Sequence, residues 1–335
     1  MKRTITTVSL ATACAALTNA AFALDMTAPT VTVSGDIKVA ATYGNGGTTP
    51  VDGEAADHYK VNDESSYVGI AARQDLPDGM YAGVQLDSFF GIDTGNDGGN
   101  GNFFSRRAVF KLGGAFGEFY VGRSLTPASF MVLFTDPWYW DGSVAQSGWK
   151  VQLANYTSTQ YLRTNNTIGW VSPKTAGFTL SLAGAAGEKT QSSDVGGSLT
   201  YDNGPLSLGV AYDQSHSFTN DPTRNHVIIA TATYDLGVIK PMASYTDSKV
   251  DGQRYDSFSL AATAPAGEKG LFKAQFSRLN DGDTVTPGHQ GYNKFALGYQ
   301  YNLIKSLAFF GNVSSAKEQT LSATNTLELG VEYGF

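Results

Sequence analysis

Almost everything that could cross-link, ligate or catalyse is scarce in this chain. Its only cysteine, Cys14, lies in the opening segment, so the remainder has no disulfide framework to rely on. The four histidines (His58, His216, His226 and His289) are scattered, with no metal spacing and no nucleophile–base pairing. No metal, cofactor or catalytic set is therefore expected, and the chain does not read as an enzyme. Past the opening segment no apolar run approaches the roughly 20 residues of a spanning helix, which excludes a helical membrane protein. Basic residues are also few, 23 Lys and Arg against 30 Asp and Glu. An acidic balance without basic clusters argues against a nucleic-acid partner.

The first residues do carry a signal. Lys2 and Arg3 form a positive start, Ile5 to Leu17 is mostly apolar, and Ala21-Phe22-Ala23 is a small-x-small cleavage pattern. Residues 1–23 are expected to be a removed signal peptide. Residues 24–335 are then the exported chain, with two fewer bases and a net charge of −9. Lipidation at Cys14 would need a Leu three residues earlier, where Ala11 stands.

What is abundant is alternation of period two. Ile37 and Val39 alternate with Asp36 and Lys38. Leu206, Leu208, Val210 and Tyr212 alternate with Ser207, Gly209, Ala211 and Asp213, and Phe295, Leu297, Tyr299 and Tyr301 with Lys294, Ala296, Gly298 and Gln300. A strand with one apolar face predicts this pattern. Turn-forming clusters near residues 75–79, 113–117, 172–174, 202–205, 235–237, 265–268 and 302–304 give seven short connections. Polar stretches at 44–64, 92–102, 124–159, 187–193, 213–225, 247–254, 279–292 and 315–324 give eight longer ones. Sixteen strands follow. Short connections on one side and long ones on the other are the layout of a transmembrane barrel. Aromatics recur near strand ends (Tyr43, Phe119, Tyr120, Trp170, Tyr212, Tyr245, Tyr333, Phe335), as interfacial girdles require.

Three stretches resemble the general trimeric porins of Gram-negative outer membranes. They are Ser105–Leu112 running into Phe116–Arg123, Arg163–Pro173 followed by Gly177-Phe178, and the terminal pair Leu297–Lys305 with a last strand ending in Phe335. The resemblance implies an all-β, sixteen-stranded antiparallel transmembrane barrel of the outer membrane. It also implies a homotrimer, contacts with outer-membrane lipid and lipopolysaccharide, and a third loop, about 124–159, folded inward to narrow a pore for ions and small hydrophilic solutes. It points to the first five strands as the subunit contact.

A filter in such a pore needs fixed charges facing one another across a gap comparable to the Debye length, about 8 Å at physiological ionic strength. The loop supplies Asp136 and Asp141. The resemblance sets Arg106 and Arg163 on the opposite wall, and strand parity turns Lys38, Arg73 and Arg123 inward but Arg107 and Lys111 outward. Tyr67 and Asp36 stand where relatives carry bases, so the basic wall reads as thin and a weak cation preference is expected. The loop also holds Phe130, Phe134, Trp138, Tyr139, Trp140 and Trp149. These rings either pin the loop to the wall or, with Trp138, Tyr139 and Trp140 as the stacking surface, make a channel selective for sugars or aromatic solutes. Asp93–Gly98 is similar to a calcium loop, but Gly95 at its third position and Phe104 at its twelfth cannot ligate.

Overall fold

The computed structural model describes residues 28–45, 58–98, 101–142, 144, 152–154, 162–187, 193–216, 224–250, 252–281, 291–318 and 322–335. The signal peptide of the sequence reading lies outside these residues, as does Trp149.

Among them the chain forms one closed antiparallel sheet. Strand β1 (Thr30–Asn45) is followed by β2 in two halves, β2a (His58–Asp63) and β2b (Tyr67–Asp75), both paired with β1. Then come β3 (Tyr81–Phe89), β4 (Arg107–Gly114), β5 (Gly117–Leu125), the short helix α1 (Pro127–Leu133), β6 (Arg163–Val171), β7 (Phe178–Ala185) and β8 (Ser193–Asn203). The rest are β9 (Leu206–His216), β10 (Arg224–Tyr234), β11 (Lys240–Val250), β12 (Gln253–Ala266), β13 (Gly270–Asp281), β14 (Tyr292–Ile304), β15 (Leu307–Glu318) and β16 (Thr324–Gly334). Each strand pairs with its neighbours in sequence, and β1 pairs with β16 from Asp36↔Gly334 to Asn45↔Asn325. Closure removes the free edges that an open sheet would leave.

The break in β2 is local and hydrogen-bonded. Two residues of β1, Ile37 and Lys38, oppose three, Glu64, Ser65 and Ser66. The surplus is absorbed as Ser66 Oγ accepts from Lys38 N at 2.9 Å and Glu64 N donates to Lys38 O at 2.9 Å. The effect is that of a bulge, which re-aims side chains at a barrel wall.

Side-chain parity gives the barrel its inverted character. On β9 Leu208, Val210 and Tyr212 are exposed while Gly209, Ala211 and Asp213 are buried. On β14 Phe295, Leu297, Tyr299 and Tyr301 are exposed while Lys294 and Ala296 are buried. Apolar residues outside and polar ones inside suit a hydrocarbon surround and an aqueous lumen. The expected girdle residues Phe119, Tyr212, Tyr245, Tyr333 and Phe335 lie exposed, but Tyr120 faces the interior.

Turn chemistry accounts for most connections. The segment expected as a long loop at 247–254 is instead a reversal between Val250 and Gln253, with Gly252 at φ 86°. Asp251-Gly252 is the Asp-Gly pair that tight hairpins favour. The last short turn also lies two residues later than expected, because β14 runs on to Ile304.

The third loop begins with α1. Thr126 caps it by accepting from Ser129 N at 3.2 Å, and Pro127 occupies its first turn, where the missing N–H costs nothing. Ala128, Met131 and Val132, one helical face, pack with Leu153 on Ala211, Val227 and Ile229. Those wall residues belong to the faces of β9 and β10 opposite the exposed apolar rows, so the helix sits inside the barrel.

Candidate functional site

Beyond α1 the loop crosses the lumen and fastens to the far wall. Asp136, only 1% exposed, accepts from Trp138 N at 2.7 Å and from Gln275 Nε2 on β13 at 3.0 Å. Trp138, 6% exposed, donates from Nε1 to Asn312 Oδ1 on β15 at 3.0 Å. Its ring lies so close to β14 that a Cβ on Gly298 would come within 3.0 Å of it. Trp140 bonds Gln152 through its indole N–H. Val144 N donates to Glu328 Oε2 on β16 at 3.2 Å. Tyr139 and Trp140 both take left-handed backbone (φ 55° and 64°), a conformation costing about 1–2 kcal/mol per non-glycine residue. Gly142 follows at φ 89°, where a Cβ would meet Glu64 Oε2 at 2.4 Å.

At the seam between β16 and β1 the loop meets charge. Lys38 Nζ lies 3.1 Å from Asp141, 3.7 Å from Glu332 and 3.8 Å from Asp36. Burial pushes the Asp141 carboxyl up from its ordinary value, with Lys38 pulling the other way. Burial also raises Asp136, against its two hydrogen bonds.

The opposite wall is basic. Arg106 pairs with Asp87 at 3.3 Å and lays its guanidinium 3.8 Å above the Tyr67 ring. Arg163 donates to Arg106 O at 3.0 Å and sits 5.2 Å from the Phe89 ring centre. Arg107 donates to Gln85 at 3.1 Å, and Arg123 to Ser105 O at 2.7 Å and Asn165 at 2.6 Å. Arg107, Arg123 and Arg163 have no carboxylate within 4 Å among the described residues, in contrast to Arg106. A space of about 450 Å³ separates this wall from the loop. Arg106, Arg107 and Arg163 line one side of it, and Phe130, Phe134, Tyr139, Trp140 and Asp141 the other.

Several expectations change here. Asp136 does not face the arginines. It turns to the wall behind the loop, because an Asp before Pro137 closes a turn on its own backbone. Arg73 faces inward but stands beside the short turn after β2b, paired with Asp75 at 3.0 Å and stacked 3.6 Å over Tyr81. Arg107 and Lys111 face inward, not outward. Arg106 lies in a bend before β4 begins, so strand parity has to be counted from Arg107. Of the stacking candidates, Trp138 is buried in the wall and Trp140 is tied to Gln152, leaving Tyr139 exposed. Gln275, Asn312 and Glu328, which hold the loop, went unnoticed in the sequence. Each is a polar residue in the inward parity of its strand.

The comparisons agree with this architecture. Residues 6–321 match the model of the Gram-negative porins. Outer membrane porin protein 32 of Delftia acidovorans is 30% identical over 284 residues, 81% of this chain and 79% of that one. An outer membrane porin of Bordetella pertussis is 26% identical over 301 residues, covering 74% and 76%. Among solved structures, an anion-selective porin from Comamonas acidovorans superposes with a TM-score of 0.78 at 26% identity, over 92% of this chain and all of that one.

Proposed function

The chain belongs to the Gram-negative porin family, and from that premise we propose that its channel passes small hydrophilic anions in preference to cations. The protein is an outer-membrane porin. The selectivity rests on one observation: Arg106, Arg107 and Arg163 gather on one wall of the same space, with Asp87 as their one paired carboxylate among the described residues. Arginine stays charged at any working pH, and charges within a Debye length are felt across the gap. The carboxylates lining the same space, Asp36, Asp141 and Glu332, are all held within 4 Å of Lys38. The weak cation preference expected from a thin basic wall finds no support. That expectation omitted Arg107, and a similar solved porin is anion-selective.

Reversal potential in a planar bilayer under a KCl gradient tests the reading. The expected sign is that of an anion-preferring pore, and the double variant R107Q/R163Q should move it towards cations. A cation sign in the unaltered protein overturns it.

The family premise also supports a homotrimer. Strands β2b to β7 are 8 or 9 residues long, whereas β8 to β16 run to 11–14. One side of the barrel is thus a lower wall, suited to partner barrels more than to lipid.

A further inference from the structure

We infer that the narrow part of this channel holds a binding site for aromatic carboxylates, with the arginine wall taking the carboxylate and the third loop's phenyl rings taking the ring. The inference rests on the anion preference proposed above and names a solute class for it.

The first observation is that two kinds of aromatic on this loop do different work. Trp138 and Trp140 anchor it through Asn312 and Gln152. The apolar face that fastens α1 to the wall is Ala128, Met131 and Val132. Phe130 and Phe134 lie one turn apart on the other face. With Tyr139 they are 47%, 51% and 54% exposed, and among the described residues their ring contacts are with one another. Ring centres of Phe130 and Phe134 are 5.1 Å apart at 75°, and those of Phe134 and Tyr139 6.1 Å apart at 79°. The three form a continuous apolar strip of edge-to-face rings directed at the open space, across from the arginines. A sieve for hydrated ions has no use for such a strip, and it leaves about half of each ring's surface uncovered.

The second observation is where the strip sits. The 450 Å³ space at the filter continues past α1 into one of about 590 Å³, and Arg107, Leu125, Phe130 and Phe134 line both. Arg107 and the two phenyl rings thus stand where the two spaces adjoin. Both volumes fall in the range of roughly 300–1,000 Å³ typical of small-molecule sites. The further space offers Lys111 and Lys240 among Ser and Thr hydroxyls, with Lys111 already paired to Glu118 at 3.2 Å. Among the described residues Arg107 bonds only Gln85, so its guanidinium keeps donors for a fork-shaped acceptor. A carboxylate is planar and matches that fork; a ring attached to it reaches the strip in offset or edge contact. An aliphatic carboxylate of the acetate class satisfies only the first half of the site, and an aromatic cation is repelled by the arginines.

The test is block of chloride current in planar bilayers carrying the full protein. Added benzoate should reduce the current saturably, at a concentration about 5- to 10-fold below that of acetate, the factor expected of one aromatic contact. Phe130→Leu and Phe134→Leu keep apolar bulk while removing the rings, and each should shrink that difference. Equal potency of benzoate and acetate on the unaltered protein overturns the inference, as does a difference that survives in both variants. A KCl-gradient reversal potential read in the same membranes reports the arginine wall separately. Cation sign there removes the premise, whereas anion sign with equal potency removes the aromatic site alone.

Discussion

Two aspartates five residues apart show how far side-chain direction decides a role. Asp141 reaches Lys38 at the edge of the lumen, whereas Asp136 is sealed behind the loop on Gln275. Asp141→Asn should therefore shift the reversal potential further towards anions, while Asp136→Asn leaves it in place. Because burial raises the Asp141 carboxyl, it takes up its proton at a higher pH than a free aspartate, whose pKa is about 3.9. Acidification therefore removes negative charge from the filter sooner than it would from a free aspartate, while the arginines keep theirs. Anion preference should rise on acidification, and rise less in the Asp141→Asn variant. The sequence showed that acids and arginines would meet here, since Arg106, Arg163 and Asp141 all line one space. It did not show which acid, because period-two parity governs strands and is silent in a loop. The Asp-Pro pair at 136–137 was the available clue.

Among the elements, strands were legible and the loop's fastening was not. Alternation and turn residues located nearly every connection, since each is a local signal of a few residues. The exceptions are instructive. The chain reverses between Val250 and Gln253 inside a stretch polar enough to look like a long loop, and Arg107 was misdirected by starting the count one residue before β4. The fastening depends on partners far away in sequence, such as Asn312 for Trp138, 174 residues on. Trp138→Ala removes that bond and the ring seated on Gly298, a loss of about 3–5 kcal/mol for a buried aromatic. With the loop less firmly held, single-channel recordings should show higher conductance and a noisier open state. An unchanged, quiet conductance would remove Trp138 as the anchor.

For the whole molecule, the barrel could be read from strand number and the two classes of connection without any partner in view. The proposed trimer came from the family resemblance alone, because a surface made for lipid and one made for a neighbouring barrel are both apolar. The low wall, β2b to β7, carries exposed Ile70, Val84, Phe110 and Leu112. Ile70→Arg with Phe110→Arg places charge in that face and should convert the oligomer, seen by mild-detergent electrophoresis or light scattering, to monomers. The same pair of charges placed at Leu260 and Leu297 on the tall wall should leave it assembled.

The loop's attachments also carry a statement about order of assembly. Asp141 fastens to Lys38 on the first strand, Val144 to Glu328 on the last, and Trp138 to Asn312 on the strand before it. The three sites exist together only once the two ends of the chain have met at the β1–β16 seam. A nascent barrel, still open at that seam, can hold its filter from the later strands but lacks the Lys38 contact that completes it. Sealing the wall and completing the aperture are thus one event, and a chain that fails to close makes only an unfinished pore.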